Sequence, residues 1–371
     1  MGNLGLHSQM TECRTMALGT RPFAWLVISI TLVGCAEPTI PKDKVSPETP
    51  PDVRLQIERL HFSNARERGE AAYPLGKMDD RAIPAIPFLI RLLDDTALIQ
   101  LRDYRPKVSV GHEAAVALVN LRKPAVRPLC TALNHKRPCV RCEAAWALGE
   151  IRDPLAAEAL IGALKDEHLG VRRNAVRALG NMKVLQAVQP VIRALNDENW
   201  SVRENAAHAL GKIKDATAVK GLTAALKDKK AVVREQAAWA LGEIKDIRAT
   251  ESLIAALGDS NQNVRYNAAW ALGVIRHPRG VAALMHALKD EHWSVRACAA
   301  RALGNIRDPR AVQSLIDVLK DTNFDVRRAA ASALKEITGE SHDQDPEKWH
   351  RWREQRKEHS RSSADTIRNW P

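Results

Sequence analysis

From Val140 onward, apolar and polar positions recur with a period of 31 residues, and self-similarity at such a period marks stacked structural repeats. The unit "VRCEAAWALGEIRDPLAAEALIGALKDEHLG" opens at Val140, and its counterparts open at Val171, Val202, Val233, Val264 and Val295. A half-copy opens at Val326, a slightly shorter copy at Val110, and a degenerate one surrounds Gly69. In "VRENAAHALG" and its continuation, positions 1, 5, 8, 9 and 12 (Val202, Ala206, Ala209, Leu210 and Ile213) share one helical face. Ser201, Asn263, Ser294 and Asp325 read as caps of this first helix, Ser201 forming a capping box with Glu204. A glycine such as Gly149, Gly180 or Gly211 reads as its end. Asp153-Pro154 and Asp308-Pro309 then read as the opening of a second helix, cap first and proline next. Such a pair cannot bury its apolar faces alone, so neighbouring units must stack around one continuous core.

Composition sharpens this picture. Hydrophobic residues make up 45% of the chain but aromatics only 4%, so the apolar mass is alanine, leucine, valine and isoleucine, which suits close-packed helices. Over about residues 65–339 the units resemble the short HEAT-like repeats named after phycocyanobilin lyases. The resemblance implies an all-α fold, a right-handed α-α superhelix (a HEAT-like solenoid) whose first-written helix lines the concave side. The array is expected over residues 53–339 and a capping segment over 340–371. There Asp345-Pro346 starts a helix that sets Trp349 and Trp352 at i, i+3 over the last unit's core, and the final "SRSSADTIRNWP" reads as disordered.

The N-terminus differs in kind. An apolar run from Phe23 to Val33 follows Arg21 and ends in "LVGC", Leu32 to Cys35. It is too short to span a bilayer, which needs roughly 20 residues, and has the length of a signal h-region. "LVGC" resembles the bacterial lipoprotein signal, which implies a signal peptide over residues 1–34 and lipidation of Cys35. Residues 35–52 are proline-rich and read as a tether. Ala36 follows the cysteine where an aspartate would signal inner-membrane retention. The expectation is therefore a cell-envelope protein held to a membrane by its lipid, on the periplasmic side of the outer membrane rather than at the inner one.

The formal charge is +12, and net charge alone does not choose between nucleic acid, membrane and acidic partners. Arginine at position 2 (Arg141, Arg172, Arg203, Arg234, Arg265, Arg296 and Arg327) could track phosphates. The equally regular aspartates, Asp166 to Asp321, favour a ladder between units instead, and nucleic acid is not expected as a partner.

Position 7 lies opposite the core positions on the first helix, where solvated residues belong. It reads Trp146, Arg177, His208, Trp239, Trp270 and Arg301, with Tyr266 and Asn267 beside it at positions 3 and 4. Tryptophan, tyrosine and arginine dominate binding hot spots, so the row reads as a groove for a protein or peptide partner. The alternative is that each indole covers the neighbouring unit's core. "HEAAVAL", with His112-Glu113, resembles the iron-ligating pairs of HEAT-like deoxyhypusine hydroxylases, but no second His-Glu occurs in the sequence. No metal, cofactor or catalytic residue is expected. The rival reading is an enzyme on the same scaffold, a metal-dependent hydroxylase or a bilin-type lyase. "CVRC" leaves three arrangements open: a Cys139–Cys142 disulfide, a Cys130–Cys139 disulfide, or free thiols.

Overall fold

The computed structural model describes residues 45–100 and 107–356; the signal segment, Cys35 and most of the tether lie outside them. Over the described residues the chain is an α-solenoid. In the unit opening at Val140, a first helix Pro138–Ile151 leads through a 3-10 turn, Pro154–Ala156, into a second helix Ala157–Ala163. The first helix recurs as Leu169–Met182, Trp200–Ile213, Ala231–Ile244, Gln262–Ile275 and Trp293–Ile306, and the half-copy supplies Phe324–Thr338. Ahead of them come Pro51–Arg59, Ala65–Leu75, Ile86–Leu92, Val110–Leu121 and Lys123–Ala132. One antiparallel pair of two-residue strands, Leu98–Ile99 with Val108–Ser109, interrupts the helices just before Val110. Thr49 is buried and helix begins at Pro51, so ordered structure starts slightly ahead of the expected boundary at residue 53.

Successive first helices lie directly on one another, whereas each second helix packs mainly on the first helix of the following unit. The reason is side-chain size. Positions 5, 6 and 8 of the first helix are alanine in most units (Ala206, Ala207 and Ala209, for example) and are buried. Small residues let helix axes approach closely.

The glycines do not end the first helices. The Pro138–Ile151 helix runs two residues past Gly149, and Arg152 closes it in the left-handed conformation (φ 60°) with its N–H on the Leu148 carbonyl. Lys183, Lys214, Lys245, Arg276 and Arg307 do the same, with φ between 53° and 64°. What requires glycine is the neighbouring helix: a Cβ on Gly180 would lie 2.6 Å from the Cβ of Ala209. The caps also sit two residues earlier than expected. Asn199 accepts from the Ser201 amide at 2.9 Å, as Asn261 and Asn323 do from Asn263 and Asp325. Asp153 and Asp308 cap as expected, each accepting from the amide two residues on at 2.9 Å.

The ladder is formed, and each rung ties three pieces of chain. Arg203 donates from Nε and Nη2 to Asp228 at 2.6 and 3.0 Å, in the loop that closes its own unit. Its Nη1 donates to the carbonyls of Asp197 and Glu198 in the preceding loop. Asp228 Oδ1 in turn accepts from the Lys230 amide at 2.8 Å, fixing its own loop. Arg141, Arg172, Arg234, Arg265 and Arg296 repeat the bidentate pair with the aspartate 25 residues on. The degenerate copy keeps a rung too, Arg68 with Asp95 at 2.7 Å. At Val110 the rung is missing because Gly111 holds position 2, where a Cβ would meet the Leu93 carbonyl oxygen at 2.7 Å. At the far end Arg327 finds Gln344 Oε1 at 3.3 Å. Residues from Pro346 are helical, as expected. Trp349 is buried, its Nε1 donating to the Asp343 carbonyl, and Arg353 reaches Gln313 of the last second helix.

Burial alone would raise the aspartate pKa, but the paired guanidinium and a loop amide outweigh it. Asp166, Asp228, Asp259, Asp290 and Asp321 therefore titrate below the ordinary carboxylate range. A depressed folded-state pKa contributes stability above the unfolded value, near 4, that is lost as pH falls through the folded value. Denaturant midpoints should thus hold above pH 5 and drop as pH falls below about 4. Asp228→Asn should cost about 3 kcal/mol at pH 7 and flatten part of that drop. An unchanged midpoint for this variant would show that the rungs contribute nothing.

Candidate functional site

Because the first helices stack in register, their position-7 side chains form one row across six units. Trp146, Arg177, His208, Trp239 and Trp270 are half-buried and Arg301 is exposed. The row exists as expected, but its members are not simply solvated. Trp239 stacks on His208 of the preceding unit, ring centroids 4.8 Å apart and planes 17° apart. Its edge also fills the space over Gly211, where a Cβ would lie 2.6 Å from Cζ3. Trp270 covers Gly242 in the same way, and Trp146 lies against His112 with centroids 4.5 Å apart. Each indole thus has one surface on the preceding unit and one towards solvent. The first surface covers the preceding unit, as one of the two sequence readings has it.

The polar groups beside the row are largely committed across unit boundaries. Asn174 donates to the Cys142 carbonyl at 3.0 Å, and Gln236 Oε1 meets His208 Nδ1 at 3.2 Å. Lys212 Nζ donates to Asn181 Oδ1 at 2.8 Å. Tyr266 and Asn267 are half-buried, and among the described residues neither side chain has a hydrogen-bond partner. Charge alternates along the face. Burial, reinforced by Arg152 and Arg177, lowers the Lys212 pKa, while burial and Glu235 raise that of Glu204. Beyond Trp270 an open hollow of about 400 Å³ is lined by Arg276, Arg301, Asn305, Arg307, Ser332 and Glu336, among others.

His112 does not open towards a metal. Its Nδ1 contacts Glu143 Oε2 at position 4 of the next unit at 3.0 Å, a partner not foreseen from the His112-Glu113 pair. Among the described residues no three His, Cys, Asp or Glu side chains converge in a way that could hold a metal ion. In the structure no disulfide joins Cys130, Cys139, Cys142 and Cys298 to one another. Cys139 donates to Asp94 Oδ1 at 3.3 Å and Cys142 contacts His168 Nδ1 at 3.5 Å. The two ends of "CVRC" are thus engaged by different loops.

The two histidines of the face should titrate in opposite directions. Burial works against the charged form of His112, but the hydrogen bond and charge of Glu143 prevail and raise its pKa. Burial, aided by Lys212, lowers that of His208 despite Gln236. A proton-detected titration should find His112 still protonated above pH 6.5, where His208 is already neutral. The reverse order would contradict the Glu143 contact. Trp239→Ala should cost about 2 kcal/mol of thermal stability, since half of a core-sized side chain's packing is lost.

Comparison with known proteins agrees with the geometry. The family model described as HEAT repeats matches residues 96–172, 159–242, 213–261 and 250–335, together more than half of the chain. An epoxyqueuosine reductase of Bacillus subtilis (strain 168) is 41% identical over 66 residues, which is 17% of this chain and 17% of that enzyme. The chain therefore spans only a small part of that relative. The Escherichia coli protein YibA superposes with a TM-score of 0.53 at 22% identity, over 75% of this chain and 99% of that one. Kap95p, solved in complex with RanGDP, gives a TM-score of 0.55 at 16% identity, over 77% of this chain and 45% of that one. Both share the fold. The chain belongs to the HEAT repeat family.

Proposed function

We propose that this HEAT repeat protein is an exported, lipid-anchored, non-catalytic scaffold that binds a protein partner along its first-helix face. The observation that carries the reading is the row itself. Indoles, a histidine and arginines keep solvent-facing surface on six consecutive units, in register, with a tyrosine beside them. Half-buried aromatics are rigid and lose little entropy on binding, the property of hot-spot residues. The alternation of charge, cationic at Arg177 and Lys212 and anionic at Glu204 and Glu235, suits a mixed-sequence polypeptide better than a uniform polyanion.

The rival, an enzyme on the same scaffold, needs convergent ligands or a chromophore pocket. Stoichiometric iron or bound pigment in the purified protein would favour it. Anchoring rests on the "LVGC" motif at Leu32 to Cys35, with the outer membrane, periplasmic side, as the site.

Two tests separate the parts of this reading. Since Trp239 and Trp270 also cover glycines of neighbouring units, the binding test belongs to the more independent side chains. Tyr266→Ala with Arg301→Ala should reduce partner capture from detergent-solubilised membranes at least tenfold while leaving thermal stability within about 0.5 kcal/mol. Undiminished capture would move the partner to another face. Cys35→Ala should abolish fatty-acid labelling, and an unlabelled wild-type protein would remove the anchor from the account.

A further inference from the structure

The edge of the solenoid formed by the turns between first and second helices carries a feature that neither the fold nor the first-helix face explains. Six successive first helices end on a lysine or arginine in the left-handed conformation: Arg152, Lys183, Lys214, Lys245, Arg276 and Arg307. Glycine or asparagine adopts that conformation with least strain, and a long side chain does so at a cost. A cation at a helix C-terminus recovers part of that cost, yet the position is basic in all six units. The turns stand side by side, since Arg248 donates to the Ala216 carbonyl of the preceding turn at 3.0 Å.

The charges on this edge are not cancelled locally. Lys214 and Arg307 pair with Glu243 and Glu336 at 2.6 Å. Among the described residues Arg152, Lys183, Lys245 and Arg276 have no carboxylate partner. The aspartates on the edge fold back to cap the second helices. The Asp246 side chain is 17% exposed, against 51% for Lys214. Two or three residues beyond the cations, Leu185, Leu155 and Ile247 are 67%, 63% and 61% exposed, more than any other large apolar side chain among the described residues.

We propose that this turn edge lies against an anionic lipid surface, as a membrane contact of the folded array distinct from the lipid at Cys35. Protruding aliphatic side chains flanked by unpaired cations fit the boundary between headgroups and acyl chains. Nucleic acid fits less well, because single-strand binding uses stacked aromatics and aliphatic side chains add nothing to phosphate contacts. The contact would lay the array along the membrane.

The test uses the full chain and vesicles of phosphatidylglycerol and phosphatidylcholine in equal parts, against phosphatidylcholine alone. With the anionic vesicles, amide hydrogen exchange should slow in the turns at residues 152–156, 183–187 and 245–249, and high salt should reverse it. The combined variant Lys183→Asn, Lys245→Asn and Arg276→Asn should lose about a hundredfold of the anionic-over-neutral preference. Its melting temperature should stay or rise, because asparagine relieves the left-handed strain. Several results would overturn the proposal: an unchanged preference in this variant, equal protection by neutral vesicles, or protection confined to residues before 45. Protection only on the opposite edge, where Leu169, Trp293 and Phe324 are exposed, would do so too. A short DNA duplex that protects the same turns when anionic vesicles do not would assign the edge to nucleic acid instead.

Discussion

The interaction on which the rest depends is the buried arginine–aspartate rung. Arg203 and Asp228 keep only 16% and 11% of their side-chain surface, so each charge would be costly without the other. The guanidinium also holds two carbonyls of the loop before it, and the carboxylate holds an amide of the loop after it. One side chain therefore fixes the spacing of two successive loops and the rotation of one unit on the next. Repeated down the array, the rung turns a short-range contact into long-range order. The places where it changes are the places where the array changes: Gly111 next to the strand pair, and Arg327 with Gln344 at the C-terminal cap.

The face for a partner follows from this register. With rotation fixed, alanines meet alanines and glycines across the first-helix row, and whatever stands at position 7 must line up with its counterparts. The same approach explains why an indole is half-buried there. Trp239 bridges to Gly211 and His208 because the helices are too close for it to stand clear. Binding surface and packing surface are two sides of one ring. The turn edge is governed by a different constraint, a left-handed closing residue, although Arg276 and Arg307 also border the hollow beside Arg301.

Much of this was legible in the sequence. The period of 31 pointed to two helices per unit. The matched recurrence of arginine and aspartate pointed to a ladder, but with each aspartate in the loop before its arginine. Arg203 takes only carbonyls there and pairs with Asp228 in the loop after. Trp349 over the last unit followed from the Asp345-Pro346 start. What misled was local chemistry read without a neighbour. Gly180 looked like a helix end because glycine commonly is one, but its role is to admit Ala209. The signal for the true end, a basic residue three positions later in every unit, is weak because lysine rarely marks that conformation. Ser201 looked like a cap, while Asn199 two residues earlier caps instead. The His112–Glu143 contact joins two adjacent units and could not be read from one helix. The Cys139 and Cys142 thiols face different loops for a reason set by the fold, not by the spacing of "CVRC".

The central claim is that order passes from unit to unit through contacts between neighbours. Deleting residues 202–232 removes Arg203 together with Asp228 and leaves every other rung arginine its own partner. Far-ultraviolet circular dichroism of this shortened chain, followed through thermal unfolding, measures the consequence most directly. The account predicts native helicity per residue at low temperature and a single cooperative transition at a modestly lower temperature. Loss of the helical signal at low temperature would contradict it, and would mean that the units hold together as one closed body.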